Sequence, residues 1–160
     1  MDIRTSFLQS PTGTRAYADW TVANGQLAMD GTFETAVNLS LFSDADAPEG
    51  IEVPEGLSPR IWWGQAYWPL VFQRLGIDAG GVQLGSLLWT LQRAKQTEQT
   101  RTLAIEYSRM ALWWMVTVGL AKDVIVTGEW MAPRILGLVE EIIPPVGLPI
   151  RFANFWRMPS

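Results

Sequence analysis

The sequence predicts an α+β fold with an N-terminal β-hairpin and helix, a long aromatic-pinned loop, and two tandem helices packed on a C-terminal antiparallel sheet. Within residues 84–118, apolar side chains recur at the spacing of one helix face. After Gly119 the pattern changes to runs of Val, Ile and Thr, which favour strands. A chain of 160 residues is long enough for one hydrophobic core and too short for two. One α+β domain is therefore expected.

The N-terminal part combines a polar arm with a hairpin and a helix. Residues 1–16 are polar and interrupted by Pro and Gly, which predicts an arm that is irregular or ordered by a partner. Asn24-Gly25, flanked by short apolar runs, is the strongest two-residue signal for a hairpin. The Asp-Gly-Thr sequence at 30–32 then offers an N-cap for a helix over about 33–42.

Residues 45–81 are rich in Pro and Gly, so long regular elements are not expected there. The same stretch contains Trp62, Trp63 and Trp68, which are not typical of a linker. A long ordered loop held in place by aromatic side chains, with a short helix near 70–75, fits this composition. Long structured loops usually carry a function.

The tandem helices are expected over 84–95 and from an N-cap at Thr97 to a stop at Gly119. Trp89 is predicted to lie in the core. The second helix has one apolar stripe, made of Leu103, Tyr107, Met110, Ala111, Trp114 and Val118. Other apolar residues fall off that stripe, namely Ile105, Leu112, Trp113 and Met115. Because a small protein must then hide apolar groups on more than one side, we expect Trp113 or Trp114 to lie at a subunit contact.

Two or three antiparallel strands are expected after the helices, within 123–130, 134–143 and 148–157, with turn residues between them. The last alternates, so that its even-numbered and odd-numbered side chains take opposite faces. The predicted organisation is an arm over 1–16, a main domain over 17–147 and a C-terminal strand or tail for partner contact over 148–160.

Composition excludes several classes of function. The net charge of −4, with only two Lys, argues against nucleic-acid binding, which needs clustered basic residues. With no Cys and no His, thiolate chemistry and the commonest general base are missing, and no metal or cofactor is expected. The longest apolar run, Met110–Val116, is far shorter than the roughly 20 residues of a membrane span. Without a signal peptide, a soluble protein made in the cytoplasm is the expectation.

Carboxylates are the only plausible catalytic groups. The candidates for a glycosidase-like pair are Glu34, Asp44, Asp46, Glu129, Glu140 and Glu141. Their spacing singles out no pair, and adjacent strand residues such as Glu140 and Glu141 point to opposite faces. Asp44 and Asp46 lack the rest of a calcium loop, and Ser86 has no His to activate it. The sequence therefore predicts no enzyme.

Aromatic residues next to arginines could instead form a stacking platform for a sugar or nucleotide. Arg60 precedes Trp62 and Trp63, and Arg157 follows Trp156. Packing of these side chains onto the protein's own core or onto a neighbouring subunit is the alternative, and we prefer it. Nine Trp in one small chain favour interfaces, where Trp is enriched.

Several segments together resemble one family. They are the helix-forming stretch 33–44, Trp62-Trp63-Gly64, the stretch 84–95 with its Gly-Ser-x-Leu-Trp-x-Leu-x-Arg-x-Lys pattern, Glu106-Tyr107, Ala111-Leu112 and Gly119-Leu120-Ala121. In this order and spacing they resemble the baseplate proteins of Mu-like contractile-tailed phages. Those proteins are similar to the lysozyme-like wedge proteins, or sheath initiators, of other contractile tails. The resemblance covers about residues 17–145.

The resemblance implies a structural subunit of the virion, assembled in the host cytoplasm. Its implied partners are other baseplate wedge proteins, hub or tube proteins and the first ring of sheath subunits, the last docking by strand addition. The residues expected at partner interfaces are Trp62, Trp63, Trp113, Trp114, Phe152, Phe155 and Trp156. Two alternatives stay open: a peptidoglycan-cleaving or glycan-binding domain using Glu34 or Glu129, and a free-standing metabolic protein.

Overall fold

The computed structural model forms two compact units, Met1–Leu39 and Ser40–Ser160, each described by itself below. The described residues are 2–3, 5–9, 16–20, 22–23, 26–27, 29–30, 33–55, 63–74, 76 and 82–158, and before residue 33 the description concerns the backbone. Trp62 lies outside them, and Trp63 is described through its backbone alone.

The first unit contains short paired strands. They are β1 (Asp2–Ile3), β2 (Thr5–Gln9), β3 (Ala16–Trp20), β4 (Val22–Ala23), β5 (Gln26–Leu27) and β6 (Met29–Asp30). β4 pairs with β5 on either side of the predicted Asn24-Gly25 turn. β2 pairs with β3, and β1 pairs with β6. Over residues 5–9 the backbone groups are paired with those of β3, where an irregular or partner-ordered arm was predicted.

Helix α1 (Glu34–Phe42) confirms the helix predicted after the hairpin. In the second unit, a 3-10 helix at Trp63–Tyr67 leads into α2 (Trp68–Arg74), close to the predicted short helix. Residues 45–55, which are described, form no helix or strand, in line with their Pro and Gly content.

The first of the two tandem helices is not formed as predicted. A single 3-10 turn at Leu88–Leu91 replaces the helix expected over 84–95. The preceding backbone is engaged elsewhere, because the Ser86 N–H donates to the Ser43 carbonyl at 2.8 Å and the Ala45 N–H donates to the Ser86 carbonyl at 3.0 Å. Gly85 has a positive φ of 111°, which is incompatible with a helix.

Helix α3 (Glu98–Leu112) and the short α4 (Trp114–Thr117) begin and end as the local signals predict. The Thr97 hydroxyl accepts a hydrogen bond from the Thr100 N–H at 3.1 Å, which is N-cap geometry. At the other end, Gly119 has a φ of 76°, and the Leu120 N–H reaches back to the Met115 carbonyl at 2.8 Å. This is the Schellman arrangement that glycine favours.

The buried side of α3 differs from the predicted stripe. Its buried residues are Thr100, Ala104, Tyr107, Ser108, Ala111 and Leu112. Leu112 and Met115, both predicted to lie off the stripe, are fully buried, whereas Met110 is exposed. The physical reason is that α3 contacts the C-terminal sheet on one side and the 88–91 turn on the other. Because α3 lies between two layers of its own chain, it needs two apolar sides. No partner subunit is required to explain them.

The C-terminal sheet confirms the predicted antiparallel strands and has three of them. β7 (Asp123–Ala132), β8 (Ile135–Ile143) and β9 (Ile150–Arg157) form an antiparallel sheet in the order β7-β8-β9. One face of the sheet belongs to the core. Its buried side chains are Val124, Val126, Leu136, Leu138, Glu140, Ile142 and Trp156.

Candidate protein-interaction surfaces

The Gly-Ser-Leu-Leu-Trp stretch at 85–89 clamps the end of α1 and the residues that follow it, which means that it packs against them closely and hydrogen-bonds to their backbone. A Cβ on Gly85 would lie 2.8 Å from the Ser43 carbonyl oxygen, so only glycine allows this approach. The Ser86 hydroxyl donates to the Leu41 carbonyl at 2.6 Å, and the Trp89 indole N–H donates to the Ala45 carbonyl at 2.9 Å. Trp89 is buried, as predicted. The most family-specific motif of the sequence is thus a packing device.

The two adjacent tryptophans of α3 and α4 have different environments. Trp114 is only 8% exposed; its indole N–H donates to the Ser40 hydroxyl at 2.9 Å and its ring meets Phe72 edge-on. Trp113 is 40% exposed. The interface role predicted for Trp114 is replaced by a core role, because its polar atom and its ring are both satisfied within the chain. Trp113 stays available for a partner.

The end of α3 presents a small preorganised patch, here called the helix-end surface, made of Glu106, Arg109, Met110 and Trp113. The Arg109 guanidinium lies 4.6 Å from the centroid of the Trp113 ring, a cation–π geometry. Arg109 also donates from Nε to the carbonyl of Val124 at 3.1 Å. These four residues line a shallow depression of about 390 Å³. Because Arg109 holds the indole from one side, Trp113 has a fixed orientation on an open surface.

The free edge of β7 is closed by α3. Arg101 donates from Nη1 to the Gly128 carbonyl at 3.0 Å, and Arg109 donates from Nε to the Val124 carbonyl. The two arginines are separated by about 12 Å along the helix, and the two carbonyls by about 13 Å along the strand, so the spacings match. Gly128 lets the helix approach, since a Cβ there would lie 3.2 Å from Ile105. β7 therefore cannot accept another strand.

The edge of β9 is open. The Met158 N–H donates to the Arg134 carbonyl, and the register then places the even-numbered residues of β9 in hydrogen-bonded pairs with β8. The backbone groups of Arg151, Ala153 and Phe155 consequently point away from β8. Across residues 33–55, 63–74 and 82–158, no backbone hydrogen bond to this second edge is present. Such a row of N–H and C=O groups is a template for strand pairing.

The face of the sheet turned away from the core carries apolar side chains beside this edge. Its exposed large residues are Ile125, Met131, Val139 and Phe155. An ion pair between Arg151 and Glu141, at 2.8 Å, borders them. Trp156 lies on the opposite face, is 8% exposed and belongs to the core, which replaces the interface role predicted for it. Of the predicted tail residues, Phe155 is exposed and Phe152 is half-buried.

Glu140 is the one fully buried acidic residue in the described part of the chain. The Asn154 amide donates to its Oε2 at 2.9 Å, while its Oε1 has no hydrogen-bond partner there. Burial raises the pKa of Glu140 to about 7. Glu141 lies on the other face, as the alternation predicted, so the two carboxylates cannot act on one bond.

Among the described residues, no three acidic side chains are grouped to hold a metal ion. No helix among them combines the length and apolar character needed to cross a bilayer.

The fold and these surfaces define an α+β domain with one closed and one open strand edge and an exposed tryptophan at a helix end. The chain belongs to the phage protein GP46 family, whose profile matches residues 33–147. It is 30% identical over 141 residues to the baseplate protein gp46 of Escherichia phage Mu, covering 83% of this chain and 89% of that protein. It is 34% identical over 125 residues to the Mu-like prophage FluMu protein gp46 of Haemophilus influenzae, covering 78% and 76% respectively. The resemblance drawn from the sequence is confirmed.

Proposed function

We propose that this protein is a structural, non-catalytic subunit of a contractile phage-tail baseplate. It joins the wedge around the hub and docks or initiates the sheath through protein–protein contacts. The observation that carries the proposal is the match to the phage Mu baseplate protein over most of both chains. Its place is the virion tail, after assembly in the host cytoplasm, with wedge, hub or tube and sheath proteins as neighbours.

The β9 edge is the surface on which a partner strand would add. The outward backbone groups of Arg151, Ala153 and Phe155 supply the hydrogen bonds of a fourth strand. Phe155 and Val139 supply exposed apolar area next to it. Because α3 occupies the β7 edge, a partner strand adds to the sheet at β9. Restricting strand addition to one edge gives the assembly a defined order.

The C-terminal segment acts in this scheme as a template and not as a detachable tail. β9 is paired with β8 along its length, and Trp156 and Met158 are buried in the core. Deletion of residues 154–160 would therefore remove core side chains and is expected to impair folding. A change confined to the outer edge of β9 is a cleaner test.

Ala153→Pro is that test. The Ala153 N–H points to the open edge, so proline removes a donor needed by an added strand without removing a hydrogen bond to β8. Ala153→Val is the matched control, because it adds bulk and keeps the N–H. We expect Ala153→Pro to fold, as judged by circular dichroism and urea unfolding. In phage carrying it, electron microscopy should show tails without assembled sheaths.

Normal contractile tails in Ala153→Pro phage would refute strand addition at β9. Normal tails in phage that lack the protein altogether would refute the structural role itself. The Ala153→Val phage should assemble like the parent.

A further inference from the structure

A second surface is a groove next to the end of α3. The groove has a volume of about 320 Å³. Its walls include Asp46, Pro48, Tyr107, Met110, Trp113 and Thr117. This volume is at the lower end of ligand pockets, enough for one large side chain and its neighbours. Met110 and Trp113 also belong to the helix-end surface, so the two depressions share one apolar ridge.

The groove is negatively charged. Asp46 is the one charged residue among those that line it, and it makes no hydrogen bond or ion pair with another described residue. The chain then continues through Glu49, Glu52 and Glu55, all exposed, and contains no Lys or Arg between residues 44 and 55. Arg109, the arginine of the helix-end surface, already contacts the Trp113 ring and donates a hydrogen bond to β7. A cation on a partner would therefore meet an uncompensated carboxylate.

The walls of the groove are held in place before any partner arrives. Residues 46–55 carry these four carboxylates and are here called the acidic segment. At one end of it, Ala45 is hydrogen-bonded to Ser86 and to Trp89. At the other, Arg93 donates to the backbone carbonyl of Glu55 at 2.6 Å, which leaves the Glu55 carboxylate outside that bond. Across the groove, Arg109 fixes the Trp113 ring. Preorganised walls lower the conformational entropy that binding must overcome.

The apolar ridge supplies the anchor. Met110 is 61% exposed and Trp113 is 40% exposed, and both line the groove. Met adapts to the shape of what it contacts, and Trp is the residue most enriched at the energetic centres of interfaces. An aromatic or aliphatic side chain of a partner would bury its apolar surface against Met110 and Trp113.

We propose that this groove binds a basic segment of another protein, in which Lys or Arg flanks one large apolar side chain. The apolar side chain packs against Met110 and Trp113, and the cation pairs with Asp46. This inference rests on the proposed structural role, because it gives the chemistry of one partner of the baseplate subunit. It concerns a surface separate from the β9 edge.

The test uses the full-length protein and a fluorescein-labelled 12-residue peptide with a Gly-Ser background and a central Arg-Trp-Arg. Fluorescence anisotropy should show saturable binding that weakens with added salt, since an ion pair is screened. Asp46→Asn should weaken binding by about fivefold, and Trp113→Ala or Met110→Ala by about tenfold, in line with the worth of such contacts. Glu129→Gln, which removes an exposed carboxylate on the sheet, is the matched control and should bind like the parent.

Control peptides with Gln-Trp-Gln or Arg-Ala-Arg should each bind more weakly than Arg-Trp-Arg. Absence of binding, or equal affinity for the parent and the Asp46→Asn protein, would overturn the proposal. Self-association of the parent chain in sedimentation experiments that is lost in Asp46→Asn would also overturn it, because the occupant would then be a second copy. If the groove fails these tests while Ala153→Pro still blocks sheath assembly, the proposed function stands without this inference.

Discussion

The buried carboxyl of Glu140 makes the stability of the protein depend on pH. In the folded chain its pKa lies at about 7, against 4.5 for an ordinary glutamate, because burial penalises the charged form. The arginines of α3 do not offset this penalty by hydrogen bonding, since Arg101 and Arg109 donate to β7 carbonyls. Only the Asn154 amide donates to the carboxylate from a described side chain, and it opposes part of the rise.

The direction of the effect follows from proton linkage. Between pH 4.5 and 7 the folded protein holds a proton that the unfolded chain has released, so the free energy of unfolding falls as pH rises. A pKa difference of about 2.5 corresponds to about 3 kcal/mol at about 1.36 kcal/mol for each unit. The contribution is fully present below pH 4.5 and is lost once the pH exceeds about 7.

Glu140→Gln tests this reasoning because glutamine keeps the shape of the acid and cannot ionise. Urea unfolding at pH 5 and pH 8 should show that the parent loses about 2.5 kcal/mol relative to the variant over this range. Glu141→Gln is the control, since this neighbouring carboxylate forms a partly exposed ion pair with Arg151. It should change stability by less than about 1 kcal/mol. Parallel pH dependences of the parent and Glu140→Gln would refute the assignment.

Three further predictions concern the packing motif, the helix cap and the chemistry. Gly85→Ala should lower the free energy of unfolding by about 3 kcal/mol or more in urea titrations, because it combines a positive φ with a clash against backbone; a change below about 1 kcal/mol would contradict the clamp. Thr97→Ala should cost about 1 kcal/mol in the same assay through loss of the N-cap, whereas Thr97→Ser should retain most of it. In a zymogram on peptidoglycan, the purified protein should clear no cell wall; clearing that is abolished by Glu34→Gln or Glu129→Gln would establish the glycosidase alternative.

The sequence predicted the elements whose signals are local. Thr97 and Gly119 mark the limits of the helical region because their side chain or their backbone freedom satisfies the helix ends directly. Val, Ile and Thr content over 123–143 and alternation over 148–157 predicted the antiparallel strands, since side chains in a strand change face at every residue. The same change of face correctly separated Glu140 from Glu141.

Tertiary structure decided what local signals could not. Residues 84–95 have helical spacing, yet Gly85 and Ser86 pair with a segment about forty positions earlier in the chain, which no short-range pattern records. Trp113 and Trp114 are adjacent and chemically alike, and only the position of Ser40 and Phe72 makes one of them core.

The orientation of α3 shows the division most clearly. The sequence by itself determined that 98–117 is helical, apolar on more than one side and followed by a sheet. Only the tertiary structure decided that Leu112 and Met115 face inward while Met110 and Trp113 face out. The tertiary structure also decided that Arg101 and Arg109 of α3 bind carbonyls on the β7 edge, while the β9 edge has no such contact from α3. The physical reason is that burial depends on the layers that surround a helix, and those layers come from segments distant in the chain.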